Sequence, residues 1–219
     1  MKARLGLFTV SIFVLLFAVG AAHAAMQDDV DRALSIIERF GEIPETAIPP
    51  AVMRDAKGVA IFAMTKVGFV LSGRGGTGVV VARTETGWSG PSAIGTGGVG
   101  IGFQAGVQVS EHVIILNTQE AVKAFTQGGN FTLGANLSVA VGPVGRSAEA
   151  SVAPYAAIYS YSRSQGIFAG VSLEGTVVAT RYEANEEYYE KPVFTSDILE
   201  GKVKPPAGAQ KLLDALSKY

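Results

Sequence analysis

The stretch Gly98-Val99-Gly100-Ile101-Gly102-Phe103-Gln104-Ala105-Gly106-Val107-Gln108-Val109 decides the fold. Its apolar residues fall on odd positions and its glycines and glutamines on even ones. A period of two belongs to a β-strand, whose successive side chains point to opposite faces. One face is apolar and the other nearly bare. The pattern recurs from Phe131 to Val141, where Phe131, Leu133, Ala135, Leu137, Val139 and Val141 alternate with Thr132, Gly134, Asn136, Ser138 and Ala140. Both read as strands of a half-buried sheet, and the bare face lets a strand, a helix or a ligand approach the backbone closely.

Working outward, further strands are predicted over Val59–Met64, Phe69–Ser72, Gly78–Arg83, Glu111–Leu116, Arg146–Val152, Tyr155–Tyr161 and Ile167–Thr180, with turns at Gly142-Pro143 and Gln165-Gly166. Helical spacing of Val30, Ala33, Leu34, Ile37 and Phe40 predicts a helix over Gln27–Phe40, stopped by Gly41. Asp28, Asp29 and Asp31 at its start suit the positive end of the helix dipole better than a metal site. Pro44, Pro49 and Pro50 mark a linker and a short helical turn from Ala51. An internal helix is predicted over Thr118–Gln127, ended by Gly128-Gly129. Past Tyr182 the chain turns polar and reads as helix at Glu183–Glu190, Ser196–Leu199 and Ala209–Tyr219. The fold class is therefore α+β: a mainly antiparallel sheet or barrel-like core, flanking N- and C-terminal helices and one internal helix.

The 219 residues are 48% hydrophobic and 17% charged, too apolar and too weakly charged for disorder. Glycine is abundant, at 27 residues, yet follows no collagen triplet, so it marks backbone geometry. Lys2 and Arg4 precede a charge-free run from Leu5 to Ala22, and Ala22-His23-Ala24 places small residues at a signal-peptidase site. Residues 1–24 are expected to be a cleaved export signal, with an uncleaved anchor as the alternative, and 25–219 a single domain. Loss of Lys2 and Arg4 leaves 16 basic residues against 19 acidic ones, a net charge of −3. That balance argues against nucleic acid, which requires a clustered basic excess. The chain has no cysteine, which excludes disulfides, thiolate catalysis and Cys-ligated metal. The expected destination is a bacterial periplasm or cell envelope, or the medium beyond.

Two runs, Gly73-Arg74-Gly75-Gly76-Thr77-Gly78 and Gly95-Thr96-Gly97-Gly98-Val99-Gly100, spell G-x-G-x-x-G. A dinucleotide fingerprint needs a helix directly afterwards, and Val79-Val80-Val81 and Ile101-Gly102-Phe103 are strand sequences, so no nucleotide is expected. With His23 gone, His112 is the one histidine left; it reads as a strand-edge residue and cannot build a multi-histidine metal site alone. Glu186 and Glu187 read as a solvated helical face. No enzyme, cofactor or metal is expected. An outer-membrane β-barrel would suit the signal, the alternation and the terminal Tyr219, but the helical C-terminal region and the single tryptophan, Trp88, depart from it.

Lys57-Gly58, Lys66-Val67-Gly68-Phe69, Arg74-Gly75-Gly76-Thr77-Gly78, Trp88-Ser89-Gly90-Pro91-Ser92, Gly128-Gly129-Asn130, Val141-Gly142-Pro143-Val144-Gly145-Arg146 and Gly166-Ile167-Phe168-Ala169-Gly170-Val171-Ser172-Leu173-Glu174-Gly175 together resemble the SYLF domain family, over about residues 28 to 217. The resemblance implies a non-enzymatic module. Eukaryotic members bind phosphoinositide membranes and, in yeast, actin filaments, while bacterial members belong to the envelope. The eukaryotic lipid-binding segment is a basic N-terminal helix. Here residues 28–40 carry Asp28, Asp29, Asp31 and Glu38 against Arg32 and Arg39, so that helix is expected to bind acidic membranes poorly and to dock on the sheet instead.

The expected function is non-enzymatic binding of anionic phospholipid or another amphiphile in the envelope. The expected contacts are cations beside bared backbone: Lys57, Lys66, Arg74, Arg146 and Arg163, with N–H donors near Gly75 and Gly76. The alternatives are a structural or protein-interaction role with an envelope protein, its actin label inherited from eukaryotic relatives, and the outer-membrane barrel.

Overall fold

The computed structural model describes residues 26–42, 47–126, 130–133, 139–142, 156–166 and 175–219. The expected signal peptide, the expected strand over Arg146–Val152 and the start of that from Ile167 lie outside these residues.

The sheet is organised by two very long strands, β1 (Gly58–Thr84) and β3 (Ser92–Leu116), joined through the short β2 (Gly87–Trp88). They run antiparallel from Gly58 opposite Leu116 to Val80 opposite Ser92. The strands predicted separately along each segment are thus continuous. Continuity is broken at one point, where Gly68 faces Gly106 and Val70 faces Gly102, so that residues 103–105 stand opposite Phe69 alone. Extra residues on one strand bend a ribbon. Beyond the bend, β1 returns alongside itself: the Arg83 N–H donates to the Lys57 carbonyl at 2.8 Å, and a Cβ on Gly58 would come 2.9 Å from the Val81 carbonyl oxygen.

Each half of the ribbon carries its own neighbours. The second half of β3 pairs with β6 (Ile158–Gly166), which pairs in parallel with β5 (Val139–Val141); the first half pairs with β7 (Val177–Thr180), which pairs with β4 (Phe131–Thr132). The turn predicted at Gln165-Gly166 is instead the end of β6, where Gly166 still faces Gln108. His112 is no edge residue: Phe62 flanks it on one side and Ser162 on the other.

Helices cover both faces over the 58–64, 79–82 and 113–116 part of the ribbon, which is buried on both sides. On the odd-numbered face, Val59, Ile61, Val79, Val81, Val113 and Ile115 pack under α1 (Met26–Gly41), α2 (Pro50–Asp55) and α6 (Gln210–Leu216). Helix α1 buries Val30, Ala33, Ile37 and Phe40, the stripe its periodicity predicts, plus Met26 and Ile36. On the even-numbered face, Ala60, Phe62, Met64, Val80, Ile94 and Ile114 meet Ala121, Val122 and Phe125 of α3 (Gln119–Thr126). Helix α4 (Tyr182–Tyr189) is tied to the start of β3: the Ala93 N–H donates to Asn185 Oδ1 at 2.7 Å, and the Tyr189 hydroxyl to the Pro91 carbonyl at 2.9 Å. With α5 (Thr195–Leu199), the described residues form six α-helices on one sheet, the expected α+β class.

Candidate functional site

The two G-x-G-x-x-G runs face each other across the ribbon. Gly73 lies opposite Val99, Gly75 opposite Gly97, Gly76 opposite Thr96 and Thr77 opposite Gly95. Their glycines serve different purposes on the two faces. Gly76 and Gly78 point to the seam, where any Cβ would strike the backbone of Ala63 and Ile61, so the ribbon can fold on itself only because they lack one. Gly98 lies beneath the Arg74 side chain, and Gly95 beneath Arg181. Gly73 and Gly75, by contrast, meet no side chain.

On the odd-numbered face, Gly95 opens a path along which Arg181 reaches α1. Asp29 is fully buried there and accepts from Thr77 Oγ1 at 2.6 Å, Arg181 Nη1 at 2.6 Å and Arg32 Nη1 at 3.0 Å. Burial pushes its carboxyl up, and the Thr77 hydrogen bond and the two guanidiniums pull it back. Asp29, in the first turn of α1 as the sequence predicts, is therefore also a staple between helix and sheet, with its oxygens taken. At the other end of α1, Arg39 Nε donates to Glu111 Oε2 at 3.1 Å, and Arg163 Nη1 to the Arg39 carbonyl at 2.6 Å. Past this helix the ribbon end projects with its apolar side outward: Val99 is 83% exposed, Val107 53% and Val109 46%.

On the even-numbered face the same ribbon end turns polar groups inward. Gln108, Ser110, Thr96, Thr176 and His112 are all buried, and Lys66 and Arg74 are half-buried beside them. Polarity at this end is the reverse of the expected one, since the glutamine and threonine side is inside and the valine side outside. His112 stacks on Phe62, its ring centroid 5.0 Å away. Burial, reinforced by the charge of Arg74, holds its imidazole down at about 4. The Ser110 hydroxyl donates to the Met64 carbonyl at 3.3 Å and lies 2.8 Å from His112 Nε2. That hydroxyl can give to Nε2 or accept from it, so Nδ1 is an N–H donor or a bare acceptor according to the tautomer. That Nδ1 and the Thr176 hydroxyl are buried without a hydrogen-bond partner.

The expected contact residues do not form one cluster. Lys66 and Arg74 share the inner face, where a Cβ on Gly98 would lie 3.4 Å from Arg74 Cζ. Gly75 faces outward and Gly76 is consumed by the seam. Arg163 is on the opposite face, committed to α1, its guanidinium 5.9 Å from the Phe40 ring centroid. Lys57 lies at the far end of β1, and Arg146 falls outside the described residues. Sequence reasoning missed Gln108, Ser110 and Thr176. The available signal was parity, since Gln108 and Ser110 share the even register with Lys66, Arg74 and His112.

These features define a class, an α+β module built on a bent glycine-rich ribbon with an apolar outer tip and a polar inner face. Residues 97–219 match the Ysc84 family model, described as "Las17-binding protein actin regulator". The chain is 46% identical over 202 residues to human SH3 domain-containing YSC84-like protein 1, covering 89% of this chain and 59% of that protein. It is 47% identical over 202 residues to LAS seventeen-binding protein 3 of Saccharomyces cerevisiae, covering 88% of this chain and 44% of that one. The chain thus belongs to the Ysc84, or SYLF, family, and it spans about half the length of the curated relatives it matches.

Proposed function

We propose that this chain is a non-enzymatic binding module of the cell envelope that docks on phospholipid or another amphiphile through the projecting end of the β1/β3 ribbon. The exposed valines Val99, Val107 and Val109, all on the odd-numbered face of β3, carry the reading. Isolated exposed valines are ordinary on protein surfaces, whereas three on one sheet face form a patch suited to an interface. Burying each is worth about 1.5 kcal/mol at the low end, so the stripe supplies roughly 4 kcal/mol, a millimolar contact on its own. Lys66 and Arg74, at the same end of the ribbon, add the headgroup contacts; Lys57, Arg163 and Gly76 are placed elsewhere or already engaged. No described helix is long and apolar enough to cross a membrane. The chain would act after export, once residues 1–24 are removed.

Flotation of the exported chain with vesicles of phosphatidylcholine, with and without phosphatidylglycerol, tests the reading. Flotation is expected to be lost in Val99→Glu and Val107→Glu and to rise with anionic lipid in a salt-sensitive way. The names of the relatives favour a second reading, a protein partner on the same valines. Absence of flotation at every lipid composition would leave that one standing.

A further inference from the structure

On the odd-numbered face, helix α1 crosses the bend of the ribbon and is fixed at both ends. Asp29 accepts from Thr77 on one side of the bend, and Arg39 donates to Glu111 on the other. Thr77 and Glu111 mark the edge of the helix. Two residues further out, about 7 Å along each strand, lie Gly75 and Val109, followed by Gly73 and Val107. Val99, paired with Gly73, is exposed with Val107 and Val109, and so is Val177, paired with Gly97. The glycines make a flat floor: a Cβ on Gly73 would meet nothing, and one on Gly75 only the Thr96 carbonyl oxygen at 3.6 Å. From Thr77 to Gly73, or from Glu111 to Val107, is about 13 Å, a ledge wide enough for one more helix, a rod about 10 Å across.

The edge of α1 that borders this ledge is cationic. Arg32 and Arg39, seven positions apart, share one side of the helix. They pair with Asp29 and Glu111, yet the bases show where the acids do not: the side chains of Arg32 and Arg39 are 41% and 35% exposed, against 0% and 22% for their partners. Arg163, donating to the Arg39 carbonyl, adds a third positive charge behind them. Asp28, exposed one turn before Arg32, sets a single negative charge at the far end.

We propose that this ledge holds an amphipathic helix of a partner protein, with its apolar stripe on Val99, Val107 and Val109 and with Asp or Glu on the flank that meets Arg32 and Arg39. The proposal rests on the reading of this face as a docking surface and names the amphiphile that occupies it. Helix α1 already shows how a helix lies on this sheet face, and the bare floor lets a second one approach the backbone closely. A guanidinium has five N–H groups, so an arginine bonded to one carboxylate can serve another. A bilayer fits less well. It is flat on this scale, and α1, standing about 10 Å proud of the sheet beside the ledge, meets it before Val109 and the glycines do.

Fluorescence anisotropy of the exported chain with labelled peptides of about 18 residues, five helical turns, tests it. One peptide carries leucines at helical spacing with glutamates on the flanks; the second has lysines in place of the glutamates; the third is a scramble of the first with no stripe. The acidic amphipathic peptide is expected to bind at least tenfold tighter than either of the others at low salt. Its advantage over the lysine peptide is expected to close at 1 M salt, where the Debye length is about 3 Å. Gly75→Ile, which fills the floor where the fold leaves space, is expected to weaken it by tenfold or more, and Arg32→Gln by about threefold. The amide resonances of Gly73, Gly75 and Gly97 give a readout that needs no substitution and are expected to shift on binding. Equal binding of the acidic and lysine peptides, no binding of the acidic one, unchanged binding in Gly75→Ile or unmoved glycine amides would each overturn the proposal. Flotation with phosphatidylglycerol vesicles separates it from the reading beneath it: vesicle binding without peptide binding removes the helix and keeps the docking face for lipid, and binding of neither removes both.

Discussion

Replacing Asp29 by alanine removes the acceptor on which α1 is hung. Three donors lose this acceptor: the buried Thr77 hydroxyl, the Arg181 guanidinium, whose side chain is only 14% exposed, and the half-exposed Arg32. Removing one member of a buried pair strands the other charge and costs about 3–5 kcal/mol, whereas a partner as exposed as Arg32 contributes well under about 1 kcal/mol. Asp29 itself regains some energy by leaving, because its burial is unfavourable enough to raise its carboxyl above the usual range. The expected loss therefore lies near the lower end, about 3 kcal/mol. With a urea dependence of roughly 2–3 kcal/mol per molar for a domain of this size, the midpoint falls by about 1 M. Urea unfolding followed by far-ultraviolet dichroism measures it, and the cycle with Arg181→Met isolates the pair, whose coupling is expected to exceed about 1 kcal/mol. A loss below about 1 kcal/mol, or a coupling of zero, would refute the claim that this carboxylate fixes the helix to the sheet.

Gly78→Ala is expected to lower the thermal midpoint by roughly 5–10 °C, since its Cβ would collide with the Ile61 carbonyl and the Phe62 backbone and cost about 3 kcal/mol, while Gly73→Ala, with open space around it, changes stability by less than about 1 kcal/mol; scanning calorimetry of the two decides. His112 predicts a pH dependence: its folded value, about 4, lies below the ordinary 6.5, so it stabilises the fold above pH 6.5, and about 3 kcal/mol is lost as the pH falls from there toward 4. His112→Phe, which keeps the stack on Phe62, is expected to flatten stability over that window; an unchanged slope would show that the imidazole is not buried neutral.

Helices and strand periodicity were legible because each is a local property. The apolar spacing in α1, α3 and the C-terminal helices predicts their ranges to within about three residues, and alternation marks β1 and β3. Continuity was not legible. Gly73–Gly78 and Gly95–Gly100 look like interruptions in a chain read alone, since glycine weakens an isolated strand. They persist as strand because each run is paired with the other, and because Gly76 and Gly78 must be bare for β1 to pass beside its own first half. That requirement joins residues more than a dozen positions apart, and no window of local sequence contains it. The register shift at Gly68/Val70 is equally non-local, being a mismatch in count between two segments.

The direction of each face is the deeper reason the candidate site was only half visible. Alternation between residues 98 and 109 shows that two faces differ but does not say which one turns inward, and the usual rule places valine inside. Here α1 ends before the ribbon does, so the valine face runs out from under its helix while the glycine and glutamine face stays enclosed by the opposite half of the ribbon. The rule held for Val113 and Ile115, which lie under helices, and inverted at Val107 and Val109, on the same strand and in the same parity. Inversion at constant parity takes selection for something other than stability, because exchanging Gln108 and Val109 in the chain would restore the ordinary arrangement at no cost in strand propensity. The outer tip calls for apolar surface, and the inner wall holds His112 Nδ1 and the Thr176 hydroxyl without hydrogen-bond partners.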